Sequence, residues 1–335
     1  MKLDVFSHIL PARYYKQLSQ KSQNGYHLEN LNRVLSTITN LDDRFRLMDK
    51  YDDYKQVLTI SSPAIESIAG PQDAIELSKL ANDELADLVA KHPDRFVAGI
   101  ATLPMNDVDA AIDELDRCIS ELNLKGILLY TPINDKPLSS SEFLPIYKKM
   151  VEYDLPIWIH PHRTHMTPDY ACEEMSKYLI YSTFGWPYET TAAMARLVFG
   201  GVLDKCPGIK FLTHHCGAMV PYFKNRIAQF YREADELLHA NFIKKLKKPP
   251  LEYFRMFYSD TALSGNTAAL MCAYSFYGAE RMLFSTDMPY DAEMGDFLIR
   301  ETIRSVEEMD IPGSERKDIF ENNARRLLHI PQESY

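Results

Sequence analysis

Residues 156–162 read Pro-Ile-Trp-Ile-His-Pro-His, a short apolar run that stops abruptly on histidine. A run this short, apolar without alternation, fits a strand covered on both faces, as the strands of a parallel sheet are. Seven more runs of the same kind lie at 2–6, 56–61, 96–101, 126–130, 209–213, 256–260 and 282–286. Amphipathic stretches of helical period separate most of them, at 74–92, 108–122, 141–153 and 190–206. Strands alternating with helices imply parallel βα units. Eight such units in one undivided chain predict a single distorted (β/α)8 TIM barrel over residues 1–335. In such a barrel the active site belongs at the C-terminal ends of the strands, where the βα loops gather. No G-x-G-x-x-G follows any strand, so a dinucleotide fold has little support. Two stretches break the repeat: a polar one at 20–41 and a long insertion at 162–184. Both are expected at the C-terminal face as walls or lids.

Bulk composition narrows the function. A hydrophobic fraction of 46% and a charged fraction of 25% are ordinary for a globular protein. The formal net charge of −10 argues against a nucleic-acid partner, because phosphate binding needs concentrated Lys and Arg. Lys244–Lys248 (KKLKK) is the only basic run and reads as a solvated helix end rather than a docking patch. The five cysteines are scattered without a C-x-x-C pair, which fits reduced thiols better than a disulfide framework. No run approaches the roughly eighteen apolar residues of a membrane span. The chain is therefore expected to be soluble and cytoplasmic.

Four of the strand ends carry chemistry. The first runs Asp4-Val5-Phe6-Ser7-His8, the fifth ends at His160-Pro161-His162, the sixth at Thr213-His214-His215, and the eighth at Thr286-Asp287. Six of the ten histidines lie in or just after these segments: His8, His160, His162, His165, His214 and His215. Distant in sequence, they meet only if each strand delivers its end to one rim. Imidazole with carboxylate suits Zn²⁺ first, with Mn²⁺ and Mg²⁺ as the other candidates, and a catalytic site leaves a coordination position open.

The same residues carry a resemblance that runs nearly end to end. It rests on Asp4–Pro11 (DVFSHILP), Arg44–Asp49 (RFRLMD), His92–Phe96 (HPDRF), Ile159–Pro161, Gly185–Glu189 (GWPYE), Gly200–Pro207 (GGVLDKCP), His215–Tyr222 (HCGAMVPY) and Leu283–Pro289 (LFSTDMP). In these the chain resembles the amidohydrolase superfamily, in the branch of non-oxidative decarboxylases typified by the α-amino-β-carboxymuconate-ε-semialdehyde and γ-resorcylate decarboxylases. The resemblance implies a metal held by His8, His160 and Asp287. It implies that His215, with Asp287, handles the proton or a water at the metal, and that Arg44 clamps a substrate carboxylate. Trp186 would wall a planar substrate. Arg226 falls where the semialdehyde decarboxylase places an arginine across a dimer interface, so a homodimer or higher oligomer is expected.

The function implied is metal-dependent decarboxylation of a small aromatic or unsaturated carboxylic acid. Loss of CO₂ leaves electron density on carbon, which a Lewis acid and nearby cations stabilise. Hydrolysis or hydration on the same scaffold would use the same residues.

One position departs from the pattern. The family's H-x-H (or E-x-H) ligand pair reads Phe6-x-His8 here, and phenylalanine ligates nothing. Three readings stay open. His8, His160 and Asp287 hold the ion with more water around it; or His162 or His214 takes the missing place; or the site binds metal poorly and the barrel is a catalytically impaired ligand-binding protein. On an extended segment His162 shares a face with His160, whereas His214 and His215 point oppositely, and His214 reads as a core or supporting residue. Asp260, at the end of the seventh strand, orients His215 or caps a helix.

Overall fold

The computed structural model describes residues 1–22 and 28–331. Eight parallel strands follow one another in chain order: β1 (Lys2–Ile9), β2 (Tyr54–Ile60), β3 (Phe96–Thr102), β4 (Ile127–Thr131), β5 (Ile157–Pro161), β6 (Phe211–Thr213), β7 (Tyr258–Asp260) and β8 (Met282–Leu283). Each pairs with the next. The ring closes where the Val5 N–H donates to the Phe284 carbonyl and the His8 N–H to the Met288 carbonyl, both at 3.0 Å. Asp4 reinforces the closure: its carboxylate accepts from Tyr54 Oη of β2 at 2.6 Å and from the Thr286 N–H beyond β8 at 3.2 Å. The architecture is the expected (β/α)8 barrel.

Side-chain alternation along each strand decides what enters the barrel. The inner core holds Val57, Ala98, Ile100, Leu128, Tyr130, Trp158, Leu212 and Leu283, together with Leu3, Val5 and Phe6 of β1. Val5 and Phe6 are consecutive, so strict alternation fails there. Three steps of β1 from Asp4 to Ser7 face two steps of β2 from Gln56 to Leu58, a bulge of one residue. The bulge turns Phe6 inward and sends His8, two residues on, into the barrel mouth.

Helices on the outside cover the strands, including Pro71–Lys91, Val108–Ser120, Leu144–Glu152, Gly185–Phe199 and Asp296–Glu307. Local rules start them. Pro71 opens its helix at the first position, where a missing N–H costs nothing, and Asp107 caps its own by accepting from the Ala110 N–H at 3.0 Å. Asn40 accepts from the N–H groups of Asp42 and Asp43 and starts the helix Leu41–Met48, which carries Arg44. The amphipathic stretch at 190–206 proves to be two helices, Gly185–Phe199 and Val202–Lys205, because Gly201 turns left-handed between them. No described helix is long and apolar enough to cross a membrane.

Both interruptions of the repeat reach the barrel mouth. The first brings Leu28 and Leu31, and the second Leu179, Tyr181 and Ser182. Within the first, residues 23–27 lie outside the described residues.

Candidate metal centre and active site

Parity of the strands brings the imidazoles together. Trp158 points into the barrel, so His160, two residues later, does too. Leu212 points in, and so therefore does His214. One ring nitrogen from each of His8, His160 and His214 lies within 4.8 Å of the others, and a second cluster of the same closeness joins His214 and His215 to the Asp287 carboxylate. Asp287 Oδ1 stands 3.1 Å from His8 Nε2 and 3.1 Å from His214 Nε2.

What holds each ring decides what its free nitrogen can do. His8 Nδ1 lies 3.3 Å from Thr59 Oγ1, whose hydroxyl donates to the Ser7 carbonyl and so accepts from the ring. His160 Nδ1 donates to the Pro161 carbonyl at 2.7 Å, and His214 Nδ1 to Asp260 Oδ2. With Nδ1 engaged as donor in His160 and His214, and in His8 when Thr59 accepts, each Nε2 is left to meet a bound ion as a lone pair; without one, His8 Nε2 donates to Asp287 Oδ1 at 3.1 Å. Nε2 of His214 is buried and has no hydrogen bond of acceptable geometry, despite its distance to Asp287. Lone pairs facing a carboxylate in a buried pocket repel one another unless a cation lies between them. The donor set therefore fits a divalent ion of the Zn²⁺ or Mn²⁺ type.

The electrostatics agree. Burial, with neighbouring histidines adding to it, drives His160 well below the usual histidine value, so it is neutral. Burial also lowers His8 and His215. For Asp287 burial opposes ionisation, but the histidines, His214 foremost, outweigh it and hold the carboxyl well below its usual range. Burial likewise opposes charging His214, yet Asp287 and Asp260 on either side push it up to about 10. Two carboxylates flanking one buried ring call for positive charge there: without an ion that charge is a proton on the His214 ring, and a bound metal would take the proton's place at Nε2.

His214 and His215 do not point oppositely. Their ring centroids are 4.0 Å apart. Extended geometry ends at Thr213, and residues 215–218 all adopt positive φ, from 53° to 69°. The Cys216 N–H donates to Asp260 Oδ1 at 2.7 Å and pins this strained turn. At Gly217 (φ 69°) a Cβ would come within 2.2 Å of Tyr277 Oη, so only glycine fits. The turn swings His215 back toward the site, its Nε2 3.8 Å from Asp287 Oδ2 and its ring stacked beside Trp186 at 6.2 Å and 19°.

Above this floor lies a cavity of about 300 Å³ lined by His8, His160, Asp287, Trp186, Tyr290 and Ser62, with the five insertion side chains completing its wall. Trp186 is fixed by donating from Nε1 to the Arg163 carbonyl at 2.8 Å. Tyr290 bonds to Ser61 Oγ and Asn32 Oδ1 and sets its ring edge-on to His8. Sequence reasoning missed Tyr290, although it stands three residues past Asp287 on the same strand-end loop.

Three expected roles change. Arg44 is wholly buried behind β1. Its guanidinium directs four of its five N–H groups to Gln56 Oε1, the His8 and Thr37 carbonyls and Ser7 Oγ, and its complete burial keeps it from a substrate carboxylate in the cavity. It braces the His8 backbone instead. His162 does not replace a ligand, because β5 ends at Pro161 and the chain turns away. Its ring lines a separate cavity with Ser67, Asp135, Arg163 and Glu189, where burial lowers it to about 4. Asp260 serves His214 rather than His215, and the helix that follows (Thr267–Tyr277) is capped by Asn266. Arg226 lies outside the site, exposed and stacked on Phe230 at 4.1 Å.

Comparison with known proteins places this geometry. The amidohydrolase family matches residues 34–330. The γ-resorcylate decarboxylase of Polaromonas sp. is 32% identical over 306 residues, spanning 86% of this chain and 87% of that protein. The 2-amino-3-carboxymuconate-6-semialdehyde decarboxylase of Dictyostelium discoideum is 26% identical over 350 residues, spanning 100% and 93%. The crystal structure of a dihydroxybenzoic acid decarboxylase from Polaromonas sp. JS666, with bound manganese and the inhibitor 2-nitroresorcinol, matches with a TM-score of 0.80 at 27% identity, over 99% and 98% of the two chains. These relatives are decarboxylases and give a hydrolase or hydratase reading no support. The chain belongs to the amidohydrolase family, in the branch of the γ-resorcylate and aminocarboxymuconate-semialdehyde decarboxylases.

Proposed function

We propose that this protein is a metal-dependent, non-oxidative decarboxylase of a small hydroxylated aromatic acid of the 2,6-dihydroxybenzoate type. One observation carries the reading: inward-facing imidazole nitrogens and one carboxylate converge at the floor of a cavity walled by Trp186 and Tyr290. His8, His160 and Asp287 would hold the ion. Such an ion supplies Lewis-acid charge beside the oxygens of the substrate, where electron density must be drawn away. Zn²⁺ and Mn²⁺ both suit the donors.

In the reaction the bond from ring carbon to carboxyl breaks, its electron pair stays on the ring carbon, that carbon takes a proton, and CO₂ leaves. Trp186 and Tyr290 fix the plane of the ring. His215, 3.8 Å from Asp287 and kept neutral by burial, is free to take up the acidic proton that the substrate's carboxyl group brings and to deliver it to the ring carbon as CO₂ leaves. The leucines at the entrance keep water from competing with the proton transfer.

Assay of CO₂ release against a panel of hydroxybenzoates and muconate-type acids tests the proposal. A product that keeps the carbon count of its substrate overturns it. A homodimer formed through the helix Lys224–Leu237 is part of the same reading. That helix exposes half of Phe230 and most of Leu237, and Arg226 lies on it. Sedimentation velocity of the wild-type chain against F230E distinguishes dimer from monomer.

A further inference from the structure

We propose that the metal ligand missing at position 6 is restored from just past the end of β6, by Nε2 of His214. The inference rests on the metal reading above and adds a ligand to it.

Four observations carry it. His214 continues the inward parity of Leu212, so it reaches the interior without a distortion of the chain. Its Nδ1 is engaged by Asp260, a fully buried carboxylate that also pins the Cys216 N–H, so ring tautomer and orientation are both fixed. Its Nε2 is buried, lacks a hydrogen bond of acceptable geometry, and lies within 4.8 Å of ring nitrogens of His8 and His160 and 3.1 Å from Asp287 Oδ1. Lastly, the Phe6 ring lies flat on the imidazole of His214, centroids 4.1 Å apart at 26°, while standing 5.2 Å from the ring of His8. Phe6 thus fills the space a ligand at position 6 would need and becomes the packing surface behind the ligand at 214.

Carboxylate–histidine–metal is the arrangement by which proteins raise the basicity of an imidazole and fix its direction. A structural ion pair alone would satisfy Asp260 and Asp287 equally well, but it would not require Nε2 to face His8 and His160. The resulting donor set is three imidazole nitrogens and one carboxylate, which shifts preference toward Zn²⁺, Co²⁺ and Fe²⁺ over Mg²⁺. His215 stays outside the set and keeps its proton-handling role.

The test is metal affinity and spectroscopy, independent of turnover. Zn²⁺ affinity is measured by chelator competition for the wild type, H214A, D260N and the double variant F6H/H214A, and Co²⁺ visible spectra are taken for each. H214A is expected to bind Zn²⁺ more than about 100-fold more weakly, and D260N about 10–100-fold more weakly. F6H/H214A is expected to recover most of the loss by returning the ligand to β1, a rescue that a purely structural His214 would not permit. The Co²⁺ bands should shift in H214A. If H214A does not fold, H214Q decides: a shifted Co²⁺ spectrum supports the assignment, an unchanged one overturns it. Wild-type affinity and spectrum in H214A overturn the inference and leave the metal enzyme standing. A wild-type chain that takes up neither Zn²⁺, Co²⁺ nor Mn²⁺ overturns both.

Discussion

Phe6 of β1 and His214, just past the end of β6, stack on each other inside the barrel, ring centroids 4.1 Å apart at 26°. Phe6 is completely buried and shares the inner core with Trp158 and Leu212. Truncation to alanine removes the ring and leaves a cavity under the imidazole. F6A is therefore expected to lose about 3–5 kcal/mol of stability in urea unfolding and to lower Zn²⁺ occupancy at fixed metal. Unchanged stability and occupancy would show that the stacking has no mechanical role.

His215 should separate catalysis from binding. It touches the site through Asp287 and Trp186 but is outside the proposed ligand set. H215N is expected to lower kcat by about 10²–10⁴-fold while metal content stays at the wild-type level. Loss of metal in H215N would instead make it a ligand.

Arg44 should behave as a structural residue. Replacement by methionine leaves the His8 and Thr37 carbonyls and Gln56 without their donor in a buried setting. R44M is expected to cost about 3 kcal/mol or more of folding stability, read as a lower melting temperature. A well-folded R44M whose sole defect is a raised KM would restore the carboxylate clamp that the sequence suggested.

Glu66, just past β2, is buried, and its Oε1 has no hydrogen-bond partner. Burial raises it from 4.5 to about 7. Between those values the folded chain holds a proton that the unfolded chain releases, so stability falls as pH rises through the window. Each tenfold difference in proton affinity is worth about 1.4 kcal/mol, which puts the full effect near 3 kcal/mol. Unfolding free energies of the wild type and E66Q should diverge by about that amount between pH 4.5 and 8, with E66Q the flatter. Parallel pH profiles contradict this.

The barrel was legible because all eight strands are apolar runs, and helices of 3.6 period lie between most of them. The chemistry was legible because ligand-type residues stand at strand ends, which only a closed barrel brings together. The orientation of His215 relative to His214 was misread for a physical reason. Adjacent residues were assumed to keep the strand's alternation, whereas positive φ at residues 215–218 folds His215 back beside it. The parity of Leu212 was visible and pointed to His214. Arg44 was misread because a motif position says nothing about burial: the helix Leu41–Met48 turns it toward the back of β1. The bulge at Phe6 leaves no mark in residue type, since Val5 and Phe6 read as one more apolar pair.

The most direct measurement follows the carboxyl carbon. 2,6-Dihydroxybenzoate labelled with ¹³C at the carboxyl is incubated with the Zn²⁺- or Mn²⁺-loaded protein and with the same protein stripped by chelator. The account predicts ¹³CO₂ and unlabelled resorcinol in equal amounts from the loaded protein, and neither from the stripped one until metal is returned. Label retained in an aromatic or ring-opened product, or release that persists undiminished after the metal is removed, would contradict it.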